Sequence, residues 1–331
     1  MEQMKPKGRI LSGMRPTGKM HLGNYVGALE NWVKLQGIYE NFHLIADYHA
    51  LTTNLDTSEI LTNTIEMVSD WLAVGINPEI SPIFRQSQIK QHAELHLLFS
   101  MLITTARLER NPTLKEQVRD LNMENITYGH LGYPVLQAAD ILLYKGNVVP
   151  VGEDQAPHVE ITREIARKFN ATYAEVFPIP ETKLTTFARL PGLDGNKMSK
   201  SLGNTILISD DEITVRTKLR KAITDPQKIR RGDPGRPEIC LVFTYQQKFN
   251  QAEVPEIESG CRSGALGCVE CKQKCATTIS QTIEPYRVRR QPYAEHPEKV
   301  LEILKEGEAR ARSVAEQTMQ EVRQAMRLGE V

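Results

Sequence analysis

Two short segments of this chain carry residue types suited to binding a polyphosphate. Residues 16–24 place a Pro-Thr-Gly turn and His21 between an apolar run and a helical pattern, where the free N–H groups of a helix start can bind an anion. Residues 197–201 set two ammonium groups, Lys197 and Lys200, among hydroxyl side chains in a loop. Lysine is a point charge on a flexible stem, which suits the β- and γ-phosphates of a nucleotide. The two segments together predict a nucleotide site.

A carboxylate inside an apolar run is the second candidate for a functional residue. Asp140 lies within residues 133–144, where an ionised group without a partner is unfavourable. The sequence therefore predicts a partner for Asp140, which is an arginine, a helix N-terminus or a donor on a substrate.

The cysteines form the third candidate for a functional site. Four of the five lie within fifteen residues, 261–275, and Cys240 precedes them. The spacing C-x20-C-x6-C-x2-C indicates a sulfur-bound metal centre, either tetrahedral zinc or an iron–sulfur cluster. Scattered free thiols are the alternative. The ligands predicted are Cys240, Cys261, Cys268 and Cys271, and Cys275 is left over.

The elements that must position these residues alternate between strands and helices over residues 1–205. Strands are predicted at 9–12, 42–46, 82–84 and 148–151, the last at a sheet edge or strand end because it contains Pro150. A helix is predicted over 56–75, capped by Asp56 with Glu59 at the capping-box position and ended by Gly75. This alternation predicts an α/β fold with a doubly wound parallel sheet, which binds ligands beyond the carboxyl ends of its strands.

The remainder of the chain reads as helical. Residues 297–328 predict one long amphipathic helix with an apolar stripe of Leu301, Leu304, Ala311, Ala315, Met319, Val322 and Met326.

Lys plus Arg (41) equal Asp plus Glu (41), so net charge does not indicate nucleic-acid binding. Local basic clusters at 216–221, 228–231 and 287–290 are either solvated surface or a phosphate-contacting face. No apolar run approaches the roughly 20 residues of a membrane span, and residues 1–9 lack an apolar signal core, so a cytoplasmic protein is expected.

Residues 16–24 and 197–201 resemble the HIGH and KMSKS signatures of class I aminoacyl-tRNA synthetases. His21 and Asn24 stand where that family has its two histidines, and Asn at the second place is usual in the tryptophanyl and tyrosyl branch. The resemblance implies a Rossmann-type catalytic domain, an α-helical anticodon-binding domain, and activation of an amino acid by ATP with Mg²⁺. The catalytic residues it implies are His21, Asn24, Lys115, Lys197 and Lys200. The ATP-binding residues it implies are Arg15, Pro16, Thr17, Gly23, Asn24, Gly152, Glu153, Asp154, Leu190, Lys197, Met198, Ser199, Lys200 and Ser201.

Residues 133–144, together with 151–155, resemble the bacterial tryptophanyl-tRNA synthetases. The resemblance implies L-tryptophan and tRNA(Trp) as substrates, with Asp140 accepting the indole N–H and Tyr133 and Gln155 lining the pocket. A subset of these enzymes has a similar run of cysteines that holds a [4Fe–4S] cluster, although here the first gap is shorter and Cys275 is additional. Zinc is the alternative metal.

The resemblance also implies a homodimer. The domains predicted are catalytic (1–205), helical anticodon-binding with the cysteines (206–290), and a C-terminal helix packing back on both (291–331). The alternatives are a tyrosyl-type synthetase, a nucleotidylyltransferase, and an inactive RNA-binding paralogue. The last of these would be expected to lose a lysine from residues 197–201.

Overall fold

The computed structural model describes residues 6–120, 123–152, 156–184 and 190–329. The strands are β1 Arg9–Met14, β2 Glu40–Ile45, β3 Ile83–Arg85, β4 Val148–Val151 and β5 Glu181–Leu184. The helices are α1 Leu22–Asn24, α2 Glu30–Leu35, α3 Asp47–Leu51, α4 Ile60–Val74, α5 Gln91–Ser100, α6 Thr105–Glu109, α7 Pro112–Asp120, α8 Tyr128–Leu143, α9 Ala156–Thr172, α10 Glu212–Arg220, α11 Leu241–Phe249, α12 Val254–Ser263, α13 Cys268–Glu295 and α14 Pro297–Ala325.

The five strands form one parallel sheet in the order β3-β2-β1-β4-β5, which confirms the predicted α/β fold. Because β4 pairs with both β1 and β5, the prediction of a sheet edge at Pro150 is wrong. The alternative of a strand end holds, since only Val151 follows Pro150 in β4. A proline there removes a donor only where the ladder is about to stop.

Apolar side chains leave the sheet on both faces, as a doubly wound fold requires. Leu11, Phe42 and Leu44 join α5, α8 and α9 in one core. Ile45 and Ile83 join α4 in a second core. The strands are therefore covered on both sides, and their carboxyl ends remain the place where a ligand can reach the sheet.

Helix α4 begins at Ile60, four residues later than predicted, so the predicted cap at Asp56 is wrong. The Asp56 carboxylate accepts the Ser58 N–H at 2.9 Å, and this local turn competes with helix formation. Gly75 ends the helix as predicted, with a φ of 114° that suits glycine.

The C-terminal helix α14 is confirmed, and it lies along strand β3 at the edge of the sheet. A Cβ built on Gly307 would fall against the carbonyl oxygen of Ile83, so only glycine allows this approach. Beside it, Arg85 Nε donates to Glu308 Oε1 at 2.6 Å. The predicted apolar stripe is wrong at Leu301, which is 37% exposed, because the helix turns Val300 into the core instead. Of the helices described, none has the length and apolar character needed to cross a membrane.

Candidate active site

A cavity of about 530 Å³ opens at the carboxyl ends of β1 and β4. At β1 the strand order reverses, since β2 and β3 continue on one side and β4 and β5 on the other. Ligands of doubly wound sheets bind at this switch point. The lining includes Gly13, Arg15, Trp32, Ala46, His49, Thr113, Glu116, Gln117, Tyr133, Gln137, Asp140, Gly152 and Lys197.

The turn that carries His21 follows β1 and leads into a continuous helical segment, residues 22–35. The His21 ring accepts the Asn24 N–H on Nδ1 at 3.2 Å, and the Asn24 side chain accepts the His21 N–H at 3.1 Å. This reciprocal cap fixes both side chains that the sequence singled out. Burial, followed by the charge of Lys200, lowers the pKa of His21 to about 4. At neutral pH the ring is therefore neutral, with its proton on Nε2, where it can donate to a phosphate oxygen.

The lysine loop lies directly against this turn. The Gly23 N–H points at the Met198 sulfur at 3.3 Å, and a Cβ on Gly23 would press on both that sulfur and the His21 ring. Lys200 Nζ donates to the carbonyl oxygen of Lys19 at 2.9 Å and also to that of Thr17. The loop thus closes on the turn through backbone groups of residues that are 181 and 183 positions apart from Lys200.

Lys197 lines the cavity itself, and its loop is held by Asn204. The Asn204 side chain donates to the Lys197 carbonyl oxygen at 3.1 Å and accepts the Ser199 N–H at 2.8 Å. Arg15 also lines the cavity, and it donates to Thr53 Oγ1 at 3.0 Å. Two cationic side chains, Arg15 and Lys197, therefore border the same cavity.

Asp140 is 2% exposed and has the partners that its burial requires, and among the described residues none of these partners is an arginine or a helix N-terminus. Its Oδ1 accepts from Gln86 Nε2 and His92 Nδ1, both at 2.7 Å. Its Oδ2 accepts from His49 Nε2 at 2.7 Å. Burial acts to raise the pKa of Asp140, but the hydrogen bonds and charges of the two histidines outweigh it and hold this pKa well below its usual range. The carboxylate is ionised and faces the cavity, and Oδ2 has room for one more donor.

Sequence reasoning missed these partners, and two of them carried a signal. His49 lies on α3, directly after the carboxyl end of β2, where parallel sheets place functional groups. Gln86 likewise comes directly after the carboxyl end of β3. His92 carries no such signal, because it reaches Asp140 through the packing of α5 on α8. Near the same wall, the Tyr133 hydroxyl pairs with His158 Nε2 at 2.7 Å.

The predicted site residues that the structure describes lie in four places. Arg15, Tyr133, Asp140, Gly152 and Lys197 line the cavity. The turn and lysine loop beside it hold Pro16, Thr17, His21, Gly23, Asn24, Met198, Ser199, Lys200 and Ser201, and Leu190 packs with Leu22 and Met198 in the core beneath. Lys115 is exposed on α7, outside the cavity lining. Glu153, Asp154 and Gln155 fall outside the described residues.

The four predicted cysteine ligands come from α12, the starts of α11 and α13, and the next turn of α13. Burial, and then the proximity of Cys240, Cys261 and Cys268, raises the pKa of Cys271 to about 11. Their thiols therefore lie within electrostatic range of one another. Over the described part of the chain, however, no three His, Cys, Asp or Glu side chains are close enough together to hold a metal ion as they stand. Cysteine sulfurs are the type of ligand that zinc or an iron–sulfur cluster binds. The assignment of these four cysteines as ligands stays a prediction.

Known proteins resemble this chain over nearly its whole length. The family model described as "tRNA synthetases class I (W and Y)" matches residues 3–284. A Tryptophan--tRNA ligase of Thermotoga maritima is 50% identical over 325 residues, covering 97% of this chain and 99% of that protein. One of Aquifex aeolicus is 44% identical over 393 residues, covering 97% and 100%. A crystal structure of tryptophanyl-tRNA synthetase from Campylobacter jejuni, complexed with ADP and tryptophan, superposes with a TM-score of 0.86 at 33% identity, covering 96% of this chain and 99% of that one.

Proposed function

The chain belongs to the tRNA synthetases of class I (W and Y), and from this premise we propose how its residues divide the work of the reaction. It is a tryptophan–tRNA ligase: it joins L-tryptophan to ATP as tryptophanyl-adenylate, releases pyrophosphate, and transfers the tryptophan to tRNA(Trp). One observation supports locating activation at the carboxyl end of the sheet. One cavity there is lined by both the cationic Lys197 and Asp140, and the His21 turn contacts the loop that carries Lys197.

In this proposal the nucleotide residues bind, orient and neutralise charge. The tryptophan carboxylate attacks the α-phosphate in line, and negative charge moves onto the leaving pyrophosphate. Neutral His21, capped by Asn24, donates from Nε2 to a phosphate oxygen. Lys197 and Lys200 meet the charge of the leaving group, and Lys200 must first release the carbonyl oxygens of Thr17 and Lys19. Mg²⁺ bound with ATP would neutralise the triphosphate further.

For tryptophan recognition we propose that Asp140 accepts the indole N–H. The support is its ionised state, its position in the cavity wall and the acceptor capacity left on Oδ2. Tyr133 borders the same space, and Gln155 is assigned to the amino acid by family resemblance alone. His49 and His92 hold the carboxylate in place from below.

We further propose that residues 206–290 form an anticodon-binding domain and that the cysteines among them hold a [4Fe–4S] cluster, with zinc as the alternative. Three features support this: four thiols from three helices, their mutual electrostatic range, and the basic clusters at 216–221 and 228–231. The catalytic domain (1–205) and the C-terminal helix (291–331) complete the proposed division.

A homodimer in the cytoplasm is the proposed working form. A second cavity of about 320 Å³ includes Leu55 in its wall, and Leu55 is 83% exposed. Further exposed apolar side chains are next in sequence to lining residues: Leu97 beside His96, and Tyr128 between Thr127 and Gly129. Such a surface suits burial against a second copy. Light scattering on the purified protein would give the mass directly.

Tryptophan-dependent exchange of pyrophosphate into ATP tests the proposed activity. Wild-type protein should exchange with tryptophan and not with tyrosine or phenylalanine. Lys197→Ala should lower kcat on the order of 10²–10³-fold, because one preorganised charge at the leaving group is lost. Lys305→Ala is the matched control, since Lys305 is an exposed lysine on α14 away from the cavity. Exchange with tyrosine would favour the tyrosyl alternative, and normal kinetics in Lys197→Ala would remove Lys197 from the reaction.

A further inference from the structure

Asp70 is a buried carboxylate that the residues assigned above do not include. It lies on α4 and is 0% exposed. Its Oδ2 accepts the Met20 N–H at 2.5 Å, and its Oδ1 accepts from Arg290 Nε at 2.6 Å. Arg290, on α13, is 7% exposed and also pairs with Glu66. A buried ion pair adds little net stability, because the cost of desolvating both charges offsets their attraction. A contribution to stability therefore does not by itself account for the pair between Asp70 and Arg290.

The Met20 bond places Asp70 directly beneath the His21 turn. Met20 precedes His21 in the chain, and its own carbonyl oxygen accepts the Ile208 N–H at 2.9 Å. The neighbouring Leu22 N–H donates to Ile206 at 2.9 Å. Segment 206–208 therefore holds one side of the turn, and Asp70 holds the other.

Asp70 also acts on the lysine loop through space. Burial lowers the pKa of Lys200, and the negative charge of Asp70 opposes that effect. Lys200 meanwhile donates to backbone oxygens of the same turn, at Thr17 and Lys19. The His21 turn and the lysine loop, the two proposed phosphate-binding segments, therefore contact each other next to the buried carboxylate of Asp70.

We propose that Asp70, held in place by Arg290, is a positioning residue for amino-acid activation: through the Met20 amide it fixes where His21 stands against the phosphates of ATP. This inference rests on the proposed role of His21 in activation. Misplacement of a catalytic group by about 1 Å is enough to lower a rate by roughly 10²-fold. The bond between Asp70 and Met20 therefore controls the rate of activation without touching substrate.

Asp70→Asn tests this directly, because asparagine keeps the shape but has one acceptor oxygen for two donors. We expect kcat for tryptophan-dependent exchange to fall roughly 10- to 100-fold, with the KM for tryptophan unchanged. Hydrogen exchange of the Met20 amide, measured at residue resolution, should become faster. Glu66→Gln is the matched control, since it removes the charge of the other carboxylate that pairs with Arg290 but leaves both bonds of Asp70. It should keep wild-type kcat and amide protection.

A second variant separates positioning from folding. Asp70→Leu combined with Arg290→Leu replaces a buried ion pair by apolar groups, a change that is often neutral for stability. If this double variant is about as stable as the wild type, a low kcat together with an unprotected Met20 amide supports the positioning role of Asp70. A wild-type kcat in the same variant overturns that role. Unchanged kcat and unchanged Met20 protection in Asp70→Asn also overturn it. A wild-type protein that shows no tryptophan-dependent exchange refutes the proposed function instead, and Met20 protection still decides whether Asp70 fixes the turn.

Discussion

Replacing Asp140 by asparagine separates its bonds to the protein from its proposed bond to tryptophan. The side chain keeps its shape, but its one oxygen can serve the donors at only one of the two carboxylate positions. If the amide oxygen stays with Gln86 and His92, the amide nitrogen faces His49, and the charge-assisted bond to His49 is lost. A hydrogen bond to a charged group contributes about 1.5–3 kcal/mol, so the free energy of unfolding should fall by this amount at pH 7.

The same substitution should change substrate selection. Tryptophan loses a bond of about 1.5–3 kcal/mol, whereas phenylalanine has no indole N–H to lose, so the preference for tryptophan should fall roughly 10- to 150-fold. The assay compares kcat/KM in pyrophosphate exchange for both amino acids. Tyr144→Phe is the control, because it removes only the hydroxyl that pairs with the far nitrogen of His92 at 2.9 Å. If Asp140→Asn loses stability but keeps wild-type selectivity, Asp140 is a structural carboxylate.

The stability effect of Asp140→Asn has a defined pH dependence. The pKa of Asp140 is lowered in the folded protein, so its contribution is complete above the unfolded value, about 4, and is lost as pH falls toward the folded value. Urea unfolding should therefore show the wild type and the variant diverging at pH 7 and converging below about pH 4. A constant difference across this range would contradict the assigned ionisation.

Three further predictions concern other parts of the molecule. Cys268→Ser should abolish the brown colour of anaerobically purified protein while Cys275→Ser keeps it, as judged by visible absorbance; a colourless wild type with one equivalent of zinc would exclude the iron–sulfur cluster. Gly307→Ala should lower the free energy of urea unfolding by about 1–3 kcal/mol through overpacking against β3, whereas Gly37→Ala, with open space around it, should not, and equal effects would refute the close approach. His43→Phe should remove an acid-labile group: burial lowers the pKa of His43 to about 3, so the unfolded state binds more protons between that value and about 6.5, and stability rises with pH over this window. The variant should gain about 2 kcal/mol relative to wild type on going from pH 8 to pH 5, and parallel stability profiles would contradict this.

Local patterns were sufficient to predict the parts of the site that are contiguous in sequence. The His21 turn and the lysine loop each lie within a few residues, and their residue types already indicate phosphate binding. Likewise, the alternation of strands and helices along the chain predicted four of the five strands that the structure describes, and β5 (Glu181–Leu184) was missed. The start of α4 was missed because the Asp56 side chain serves a local turn, a choice that sequence pattern alone does not resolve.

The hydrogen-bond partners of the buried carboxylates could not be predicted from the sequence, because long-range packing determines them. The burial of Asp140 implied that it has partners, but His49, Gln86 and His92 lie 91, 54 and 48 positions away from it. Sequence reasoning did not single out Asp70, whose donors come from 50 and 220 positions away. The need for a partner is a local property of a residue, whereas the partner's identity is a property of the fold.

The contact between α14 and the edge of the sheet has a consequence for synthesis on the ribosome. Arg85 of β3 and Glu308 of α14 are 223 positions apart, which corresponds to roughly 10–45 s at about 5–20 residues per second. During that interval the β3 side of the nascent sheet lacks the helix that will cover it, and an uncovered strand edge is a template for pairing with another chain. With only three residues in β3, few backbone groups are at risk while the ribosome completes the chain.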